Sequence, residues 1–452
     1  MMRRLSLAMS LATVAWVPLV AGGNRPLIWG LAALWMGLAG VVCAAAPVTR
    51  SSRSLRSLLA PGLLFGVFLI WSAIQAASLP GMPGAYLSLS PADTLLSTMT
   101  MATCGLLFLV IAQTVRSARG PLVLLFVIAA AQAVWALISL RLLGDTLMGA
   151  EKVQYQGFAT GTFVNRNSLA DFVGCAIPIG VCLLALQLKE MVSEGLDGRR
   201  VFYSILLVLG MAFLLAALVA SGSRMALFAT AMATGICLLL IALRYRRELP
   251  AGWLLLGTGC LAAVFLVFFG TGLTDRTFDL VHDAAVRGEL YRQVWPAILG
   301  SPWTGYGGGS FAVVFPSFQA PPLPGELIWS KAHSTYLALL FEYGIIGGML
   351  PVIAVGIVLV QLLWSVVRSR GGYAQIAAVG VATMFAIHSL VDFGLEMQGN
   401  ALMLAAVLGV AAGSLAAGRA QTSAAPAFTG AAATQDTSRS APRKTPMDEL
   451  AE

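Results

Sequence analysis

The chain has 452 residues, of which 58% are hydrophobic and only 11% are charged, and its formal net charge is +8. Water-soluble domains carry about 25% charged residues, so this composition excludes an ordinary soluble protein and indicates a membrane protein. The positive charge is spread over short segments between apolar runs, which argues against nucleic acid as a partner.

Apolar runs of roughly 17 to 25 residues, each long enough to cross a bilayer of about 30 Å, recur through residue 417. They predict an all-α polytopic membrane protein with about twelve transmembrane helices. No small-residue cleavage site follows the first run, so it is expected as a retained helix rather than a signal peptide. The predicted helices lie near residues 5–21, 26–46, 58–79, 93–113, 121–143, 168–188, 201–220, 225–243, 252–271, 345–367, 373–391 and 399–417.

Basic residues fall mainly in every second connection between these helices. In the other connections they are sparse: Arg25 is alone in the first, and the 80–92 connection has no Lys or Arg. This asymmetry follows the positive-inside rule, so both termini are expected in the cytoplasm and the sparse connections outside. The residues assigned to the cytoplasmic side are Arg3, Arg4, Arg50, Arg53, Arg56, Arg116, Arg119, Lys189, Arg199, Arg200, Arg244, Arg246, Arg247, Arg368 and Arg370.

Three segments stand apart from the apolar runs. Residues 144–167 and 272–334 are expected as loops on the outer face, the second being a large loop between predicted helices nine and ten. Within it, apolar residues of 275–299 recur at spacings of three to five, which predicts an amphipathic helix. Residues 418–452 are rich in Ala, Ser, Thr and Pro and are expected to be a disordered cytoplasmic tail, leaving 1–417 as the transmembrane domain.

The sequence predicts neither a metal site nor a cofactor. The six cysteines all lie inside apolar runs without a CxxC spacing, and no Asp-x-Asp cluster suits a divalent ion. The Gly-rich run GYGGGS (305–310) lacks the strand, helix and following Lys of a phosphate loop. It is predicted to be a tight turn near the membrane.

Polar side chains collect instead at the predicted outer face. The middle of the membrane holds almost no ionisable residue, Asp171 and His388 being the deepest. Ion-coupled transporters usually keep ionisable groups near the midplane, so this distribution favours an enzyme acting at the outer surface. A lipid-linked saccharide flippase or another polysaccharide transporter is the alternative. The candidate site residues are Asn165, Arg166, Arg224, Arg287, Arg292, His333 and Glu342.

The arginines of this set point to an anionic ligand. The guanidinium group offers a planar fork that matches phosphate oxygens. Arg224 opens a predicted helix, whose N-terminus adds free N–H groups and a partial positive charge. The alternative for such a residue is that it extends to the lipid headgroups. Several arginines on a side where the positive-inside rule disfavours them favour the ligand.

Four segments occur in order along the chain: GTFVNRNSLA (161–170), SGSRMAL (221–227), RGELYRQVWPAILGSPWTGYGGGSF (287–311) and AHSTYLALLFEYGIIG (332–347). In this order, and with this topology, they resemble the O-antigen ligase and O-antigen polymerase family of bacterial envelope glycosyltransferases. One departure is visible, because Ser334 follows the histidine where the family has Asn.

The resemblance implies a membrane fold of the lipid-linked, GT-C-like glycosyltransferase type in the bacterial inner membrane, with a periplasmic active site. It implies a metal-independent, inverting transfer of a glycan from an undecaprenyl diphosphate donor to a sugar hydroxyl. The acceptor would be lipid A–core in a ligase and another lipid-linked repeat unit in a polymerase. By the same resemblance, Arg224 and Arg287 bind the diphosphate and His333 activates the acceptor hydroxyl.

The chemistry of the residues agrees with these roles. Fixed Arg donors would stabilise the charge that develops on the leaving diphosphate, and an imidazole is suited to removing a proton near neutral pH. Arg166 and Arg292 are expected as supporting contacts, with Asn165 beside them. Glu342 is expected either to orient the base or bind sugar, or to pack at a helix end.

Overall fold

A computed structural model describes residues 1–47, 54–82, 84–143, 146–147, 150–152, 154–248, 259, 275–324 and 329–422. Apart from Gly259, the predicted helix at 252–271 lies outside these residues, as does the predicted tail beyond Thr422.

The described chain is mostly α-helical. The first five helices are α1 (Met2–Trp16), α2 (Pro26–Ala44), α3 (Leu59–Ala76), α4 (Pro91–Thr114) and α5 (Arg119–Leu142). A short antiparallel pair follows, β1 (Thr146–Leu147) with β2 (Ala150–Glu151). Next come α6 (Arg166–Gly174), α7 (Ala176–Glu194), α8 (Gly198–Ala220) and α9 (Arg224–Tyr245). The last helices are α10 (Asp275–Gly300), α11 (Phe311–Val314), α12 (Thr335–Val367), α13 (Tyr373–His388) and α14 (Gln398–Thr422).

Within the described residues, nine helical stretches are long and apolar enough to cross a membrane, and α13 is a shorter apolar helix. The nine are Pro26–Ala44, Arg56–Ala76, Pro91–Thr114, Arg119–Leu142, Arg166–Glu194, Gly198–Ala220, Arg224–Tyr245, Thr335–Val367 and Gln398–Gly418. This confirms the prediction of a polytopic helical membrane protein.

Several element bounds differ from the predictions. The helix predicted at 345–367 begins at Thr335, because Ser334 caps its N-terminus and the chain remains helical on both sides of a kink at Gly344. The helix predicted at 168–188 consists of α6 and α7, which meet at Cys175. The last helix continues to Thr422, beyond its predicted end at 417.

Small residues let the helices approach closely. Gly409 and Gly413 of α14 lie one turn apart and pack against the main chain of α4, at the carbonyl groups of Phe108 and Ala112. Close backbone approach at small residues is the usual way in which helices pack in a membrane. Helix α13 is buried on nearly all sides, between α7, α9, α12 and α14.

Among the described residues, several of those assigned to the cytoplasmic side meet at one end of the bundle, called here the basic end. Arg119 at the start of α5 binds Glu190 near the end of α7, at 2.9 Å. Lys189 binds Glu248, just beyond α9, at 2.6 Å. The connections that carry most candidate site residues meet at the opposite end, called here the site end.

Candidate active site

The entry to α6 is held by Asn165. Its side-chain oxygen accepts a hydrogen bond from the Asn167 backbone N–H at 2.7 Å and so caps the helix. Its amide group donates to the Tyr155 hydroxyl at 3.0 Å. Its buried side chain thus fastens the preceding loop to α6, and its predicted contact with substrate stays a prediction.

Arg166 lies beside the turn between α8 and α9. Its guanidinium carbon is 4.3 Å from the ring centre of Phe158 and 5.6 Å from that of Tyr155, which are cation–π distances. Phe158 packs in turn against Gly222. Since Gly222 is two residues before Arg224, this packing brings the two arginines to neighbouring elements.

Arg224 is the first residue of α9 and is half-buried. Ser223 occupies the N-cap position, but its side chain makes no capping hydrogen bond. The Ser223 hydroxyl therefore does not occupy the first N–H groups of α9. The positive end of the helix dipole lies at the same point, so the local field favours an anion.

Helix α10 contributes Arg287 and, one turn later on the same face, Tyr291. The Tyr291 hydroxyl donates to the His333 carbonyl oxygen at 2.6 Å and faces the Leu390 carbonyl at 3.4 Å. Burial raises the pKa of Tyr291 to about 12, although the positive charge of Arg287 acts to lower it. The hydroxyl therefore keeps its proton at neutral pH and holds the backbone of His333 to α10.

Arg287 also acts on the loop before α6. Burial raises the pKa of Tyr155, and the positive charges of Arg166 and Arg287 both oppose that rise. Arg166 lies over the Tyr155 ring, and Arg287 is within electrostatic range of the Tyr155 hydroxyl. Tyr155 and Tyr291 were missed by sequence reasoning, although the spacing of Tyr291 from Arg287 was a signal that could have been used.

His333 lies just before α12 and is half-buried. Its ring meets those of Trp329 and Phe393 edge to face, with centres 5.8 and 5.1 Å away. Its φ angle is +50°, which is uncommon for a residue with a side chain and costs about 1–3 kcal/mol. Such strain is kept where surrounding contacts fix the backbone, as the Tyr291 hydroxyl does here.

Ser334, the departure from the family pattern, has a clear structural role. Its hydroxyl accepts a hydrogen bond from the Leu337 N–H at 3.4 Å and donates to the Ser389 carbonyl at 3.2 Å. The first bond caps α12, and the second joins it to the connection after α13. A short hydroxyl side chain suits the N-cap position, so the Ser is compatible with this fold.

Asp392, in the connection between α13 and α14, was missed by the sequence analysis. Its carboxylate is buried and accepts hydrogen bonds from the Asn167 side chain at 2.6 Å and from the Phe393 N–H at 2.9 Å. Its backbone carbonyl accepts from the Thr335 N–H at 3.2 Å. Asp392 thus joins the start of α6, where Arg166 lies, to the start of α12, which follows His333.

Close to this connection, His388 and Asp171 form a buried pair. The His388 Nδ1 atom is 2.6 Å from an Asp171 carboxylate oxygen. His388 ends α13 and Asp171 lies in α6, so the pair joins two helices beneath the site.

Two predicted site residues have protein partners of their own. Arg292 is largely exposed and binds both oxygens of Glu289, at 2.7 and 2.8 Å, and this contact lowers the pKa of Glu289. Glu342 is buried within α12, where the N–H groups of Gly309 and Phe311 bind its carboxylate. Neither contact involves His333.

Comparison with known families agrees with this geometry. Residues 209–352 match the O-antigen ligase family. This match confirms the O-antigen ligase/polymerase family. The matched segment contains the Arg224 turn, α10 and the start of α12. Among curated proteins, none matches the chain significantly.

The family places the chain among glycosyltransferase-like enzymes that carry out glycan transfer of the O-antigen ligase type. The family match points to lipid-linked glycans as the class of substrate and to the bilayer as their location. The arginines and the histidine at the site end of the bundle are suited to such substrates. The arginines offer hydrogen-bond donors to phosphate oxygens, and the histidine offers a base.

Proposed function

We propose that this protein transfers a glycan from an undecaprenyl diphosphate donor to a sugar hydroxyl, with inversion at the anomeric carbon and without a metal ion. The acceptor is lipid A–core or another lipid-linked repeat unit. One observation carries the proposal: Arg166, Arg224, Arg287 and His333 lie on elements that hydrogen bonds and ring contacts join at one end of the bundle.

Arg224 and Arg287 bind the diphosphate of the donor in this proposal. As the bond between the anomeric carbon and the phosphate oxygen breaks, negative charge builds on the diphosphate. Preorganised guanidinium groups stabilise that charge without rearrangement. The N-terminus of α9 adds its N–H groups and dipole at the same place, and Arg166, oriented by Phe158 and Tyr155, supports the clamp.

His333 acts as the general base. Its imidazole takes the proton of the acceptor hydroxyl while the hydroxyl oxygen attacks the anomeric carbon from the face opposite the diphosphate. The backbone bond from Tyr291 fixes His333 relative to Arg287, which lies on the same helix. One helix thus sets the spacing of the base and of part of the phosphate clamp, as positioned proton transfer requires.

The remaining predicted contacts take supporting roles. Asn165 holds the loop that carries Tyr155, and so positions Arg166 indirectly. Arg292 binds sugar or phosphate only after exchanging its contact with Glu289. Glu342 fixes the Gly-rich turn rather than orienting the base, because Gly309 and Phe311 bind its carboxylate.

The site faces the periplasm of the inner membrane in this proposal. The support is the collection of basic residues at the opposite end of the bundle, which the positive-inside rule assigns to the cytoplasm. The outer side has no nucleotide supply, so a donor that arrives already activated by its diphosphate fits this location.

Site residues are tested by complementation in a strain that lacks the enzyme. His333→Ala and Arg287→Ala should abolish glycan display at normal expression, because each removes a group that acts on the reacting bond. Arg119→Gln, at the basic end, is the matched control and should restore display. Normal display by both site variants would show that the residue assignment is wrong.

Transfer is separated from transport with purified protein and lipid-linked oligosaccharide. Transfer releases undecaprenyl diphosphate only when acceptor is present, and His333→Ala should stop that release. Movement of the intact lipid-linked sugar across vesicles, without bond cleavage, would support a flippase instead. Product length distinguishes the acceptors: one added glycan on lipid A–core indicates a ligase, and a ladder of repeats indicates a polymerase.

A further inference from the structure

Helix α10 carries an exposed stripe that the proposed reaction does not use. Exposed residues recur along it at intervals of three and four, which places them on one face. They are Ala285, Gly288, Arg292, Trp295 and Leu299. Toward the C-terminal end of the helix the stripe becomes apolar. Trp295 is 47% exposed and Leu299 55%, and Trp303 in the following turn is 69% exposed.

The opposite face of α10 is already satisfied. Leu290, Val294 and Ile298 are fully buried in a cluster with aromatic residues that include Phe311 and Phe341. The exposed Trp and Leu residues are therefore additional to the face that folds the helix onto the protein. Large apolar side chains exposed side by side on a protein surface commonly mark a contact with a partner or with the membrane.

The height of this surface relative to the membrane follows from α12. The Pro302 carbonyl accepts a hydrogen bond from the Ile345 N–H at 2.8 Å, and the main chain at Gly344 packs directly on the Trp303 carbonyl. Trp303 therefore lies level with Ile345. From Ile345 to the end of α12 at Val367 the helix rises about 34 Å at 1.5 Å per residue, close to the roughly 30 Å of a bilayer core.

The neighbouring face of α12 continues outward to lipid. Ile346 is 61% exposed and Ile353 44%, on a helix long and apolar enough to span the membrane. The exposed apolar residues of α10 thus begin where the lipid-facing surface of α12 ends. This continuity favours lipid over a second protein as the occupant.

We propose that Trp295, Leu299 and Trp303, together the α10 apolar surface, insert into the interfacial region of the leaflet on the site side. Trp residues prefer this region because their rings are apolar and their N–H groups reach polar partners. Arg292, paired with Glu289 one turn earlier, remains at headgroup level or in water. Helix α10 therefore acts as an interfacial anchor.

This anchor sets the height of the site without depending on the proposed reaction. Arg287 precedes Trp295 by about two turns, or roughly 12 Å along the helix axis. With the apolar surface in the interface, Arg287 lies near the headgroup layer. A lipid-linked ligand would present its phosphates in that layer.

The test uses single nitroxide labels on the full chain in phosphatidylethanolamine–phosphatidylglycerol nanodiscs. The labelled variants are Trp295→Cys, Leu299→Cys and Trp303→Cys, with labelling of the wild-type cysteines subtracted as background. Ile353→Cys is the lipid reference, and Glu151→Cys, in an exposed residue of β2, is the water reference. Power saturation with oxygen and with a water-soluble nickel chelate reports which environment each label meets.

We expect the three α10 labels to collide more with oxygen than with the nickel chelate, as at residue 353. A ratio like that at residue 151 would overturn the proposal in favour of water. Low collision with both reagents would overturn it in favour of a protein partner. A second measurement avoids thiols: brominated lipids should quench the wild type more than Trp303→Phe or Trp295→Phe, and equal quenching of all three would also count against insertion.

Discussion

The two ends of the helix bundle use polar side chains in different ways. At the basic end, Arg119 and Glu190 form an ion pair between partly exposed side chains. At the site end, the Asp392 carboxylate is buried and accepts its 2.6 Å hydrogen bond from Asn167. Exposed pairs contribute about 0–1 kcal/mol, whereas a buried polar group that loses its partner costs about 1–3 kcal/mol. The site end is therefore the part whose geometry depends on polar contacts.

The largest expected difference lies within one helix, α12. Gly344 at the site end has φ +74° and ψ 170°, a region open almost only to glycine, so Gly344→Ala costs about 1–3 kcal/mol in strain. The added methyl group also overlaps the Trp303 carbonyl, at a further cost of about 1–3 kcal/mol. We expect a large fall in Tm in detergent micelles, together with loss of transfer.

Gly356, further along α12, is the matched control. A Cβ there would meet open space, so Gly356→Ala should be neutral or stabilising by about 0.5–1 kcal/mol through helix propensity. Equal losses of Tm in the two variants would mean that the close packing at Gly344 contributes nothing special.

The second prediction compares carboxylates at the two ends. Asp392→Ala leaves the Asn167 amide and the Phe393 N–H without their acceptor, so we expect about 1–3 kcal/mol of destabilisation. Glu190→Ala removes only the partly exposed pair with Arg119, for about 0–1 kcal/mol. Tm measurements on both variants check this order.

Asp392→Asn refines the same comparison. The amide keeps one carbonyl oxygen as an acceptor, so it retains one of the two bonds made by the carboxylate. Its Tm should lie between those of wild type and Asp392→Ala. If Asp392→Ala is no less stable than Glu190→Ala, the buried contact does not hold the site end together.

The third prediction concerns the position of His333. Tyr291→Phe removes the hydrogen bond to the His333 carbonyl, a net loss of about 1 kcal/mol, or roughly fivefold in rate. The loss should appear in kcat with little change in KM, because the backbone of the base moves and the donor contacts remain. Since burial raises the pKa of Tyr291 to about 12, the factor should be constant across the neutral pH range.

Tyr336→Phe controls for loss of a tyrosine hydroxyl. Tyr336 also donates to a backbone carbonyl, that of Ala386, at 3.0 Å. It lies on α12 but does not contact His333 through that bond. A similar loss of kcat in both variants would indicate a general structural effect rather than positioning of His333.

The sequence was sufficient for the features that depend on local pattern. Apolar run length predicts the membrane helices, and the spacing of three to five between apolar residues in 275–299 predicts α10, which the structure confirms. The alternation of basic connections predicts a common end for Arg119 and Lys189, where they lie. The ordered motifs predicted the family that the match over 209–352 supports.

Long-range contacts were beyond the sequence. Asp392 and Asn167 are 225 positions apart, so neither could be recognised as the other's partner. The start of α12 was placed too late because Glu342 and Tyr343 have polar side chains. In the structure, Gly309 and Phe311 bind the Glu342 carboxylate, and Tyr343 bonds Ser97 at 2.7 Å.

One partner was local and was still overlooked. Glu289 precedes Arg292 by three residues on a predicted helix, which is a spacing at which opposite charges meet. Their bidentate contact could therefore have been read from the sequence. Arg292 would then have been assigned to an exposed helix surface before a substrate contact was considered.

The smallest expected effect is at the basic end. Measurements at high salt then compare how the polar contacts of the two ends respond to screening. Arg119→Gln should change stability by about 0–1 kcal/mol and leave transfer unaltered, because topology depends on many basic residues together. A double-mutant cycle of Arg119 with Glu190 should give a coupling energy that high salt removes, since ions screen exposed charges. The cycle of Asn167 with Asp392 should keep its coupling energy in the same salt, because the Asp392 carboxylate is buried and the Asn167 amide is uncharged. Equal salt sensitivity of the two cycles would show that the ends do not differ in this respect.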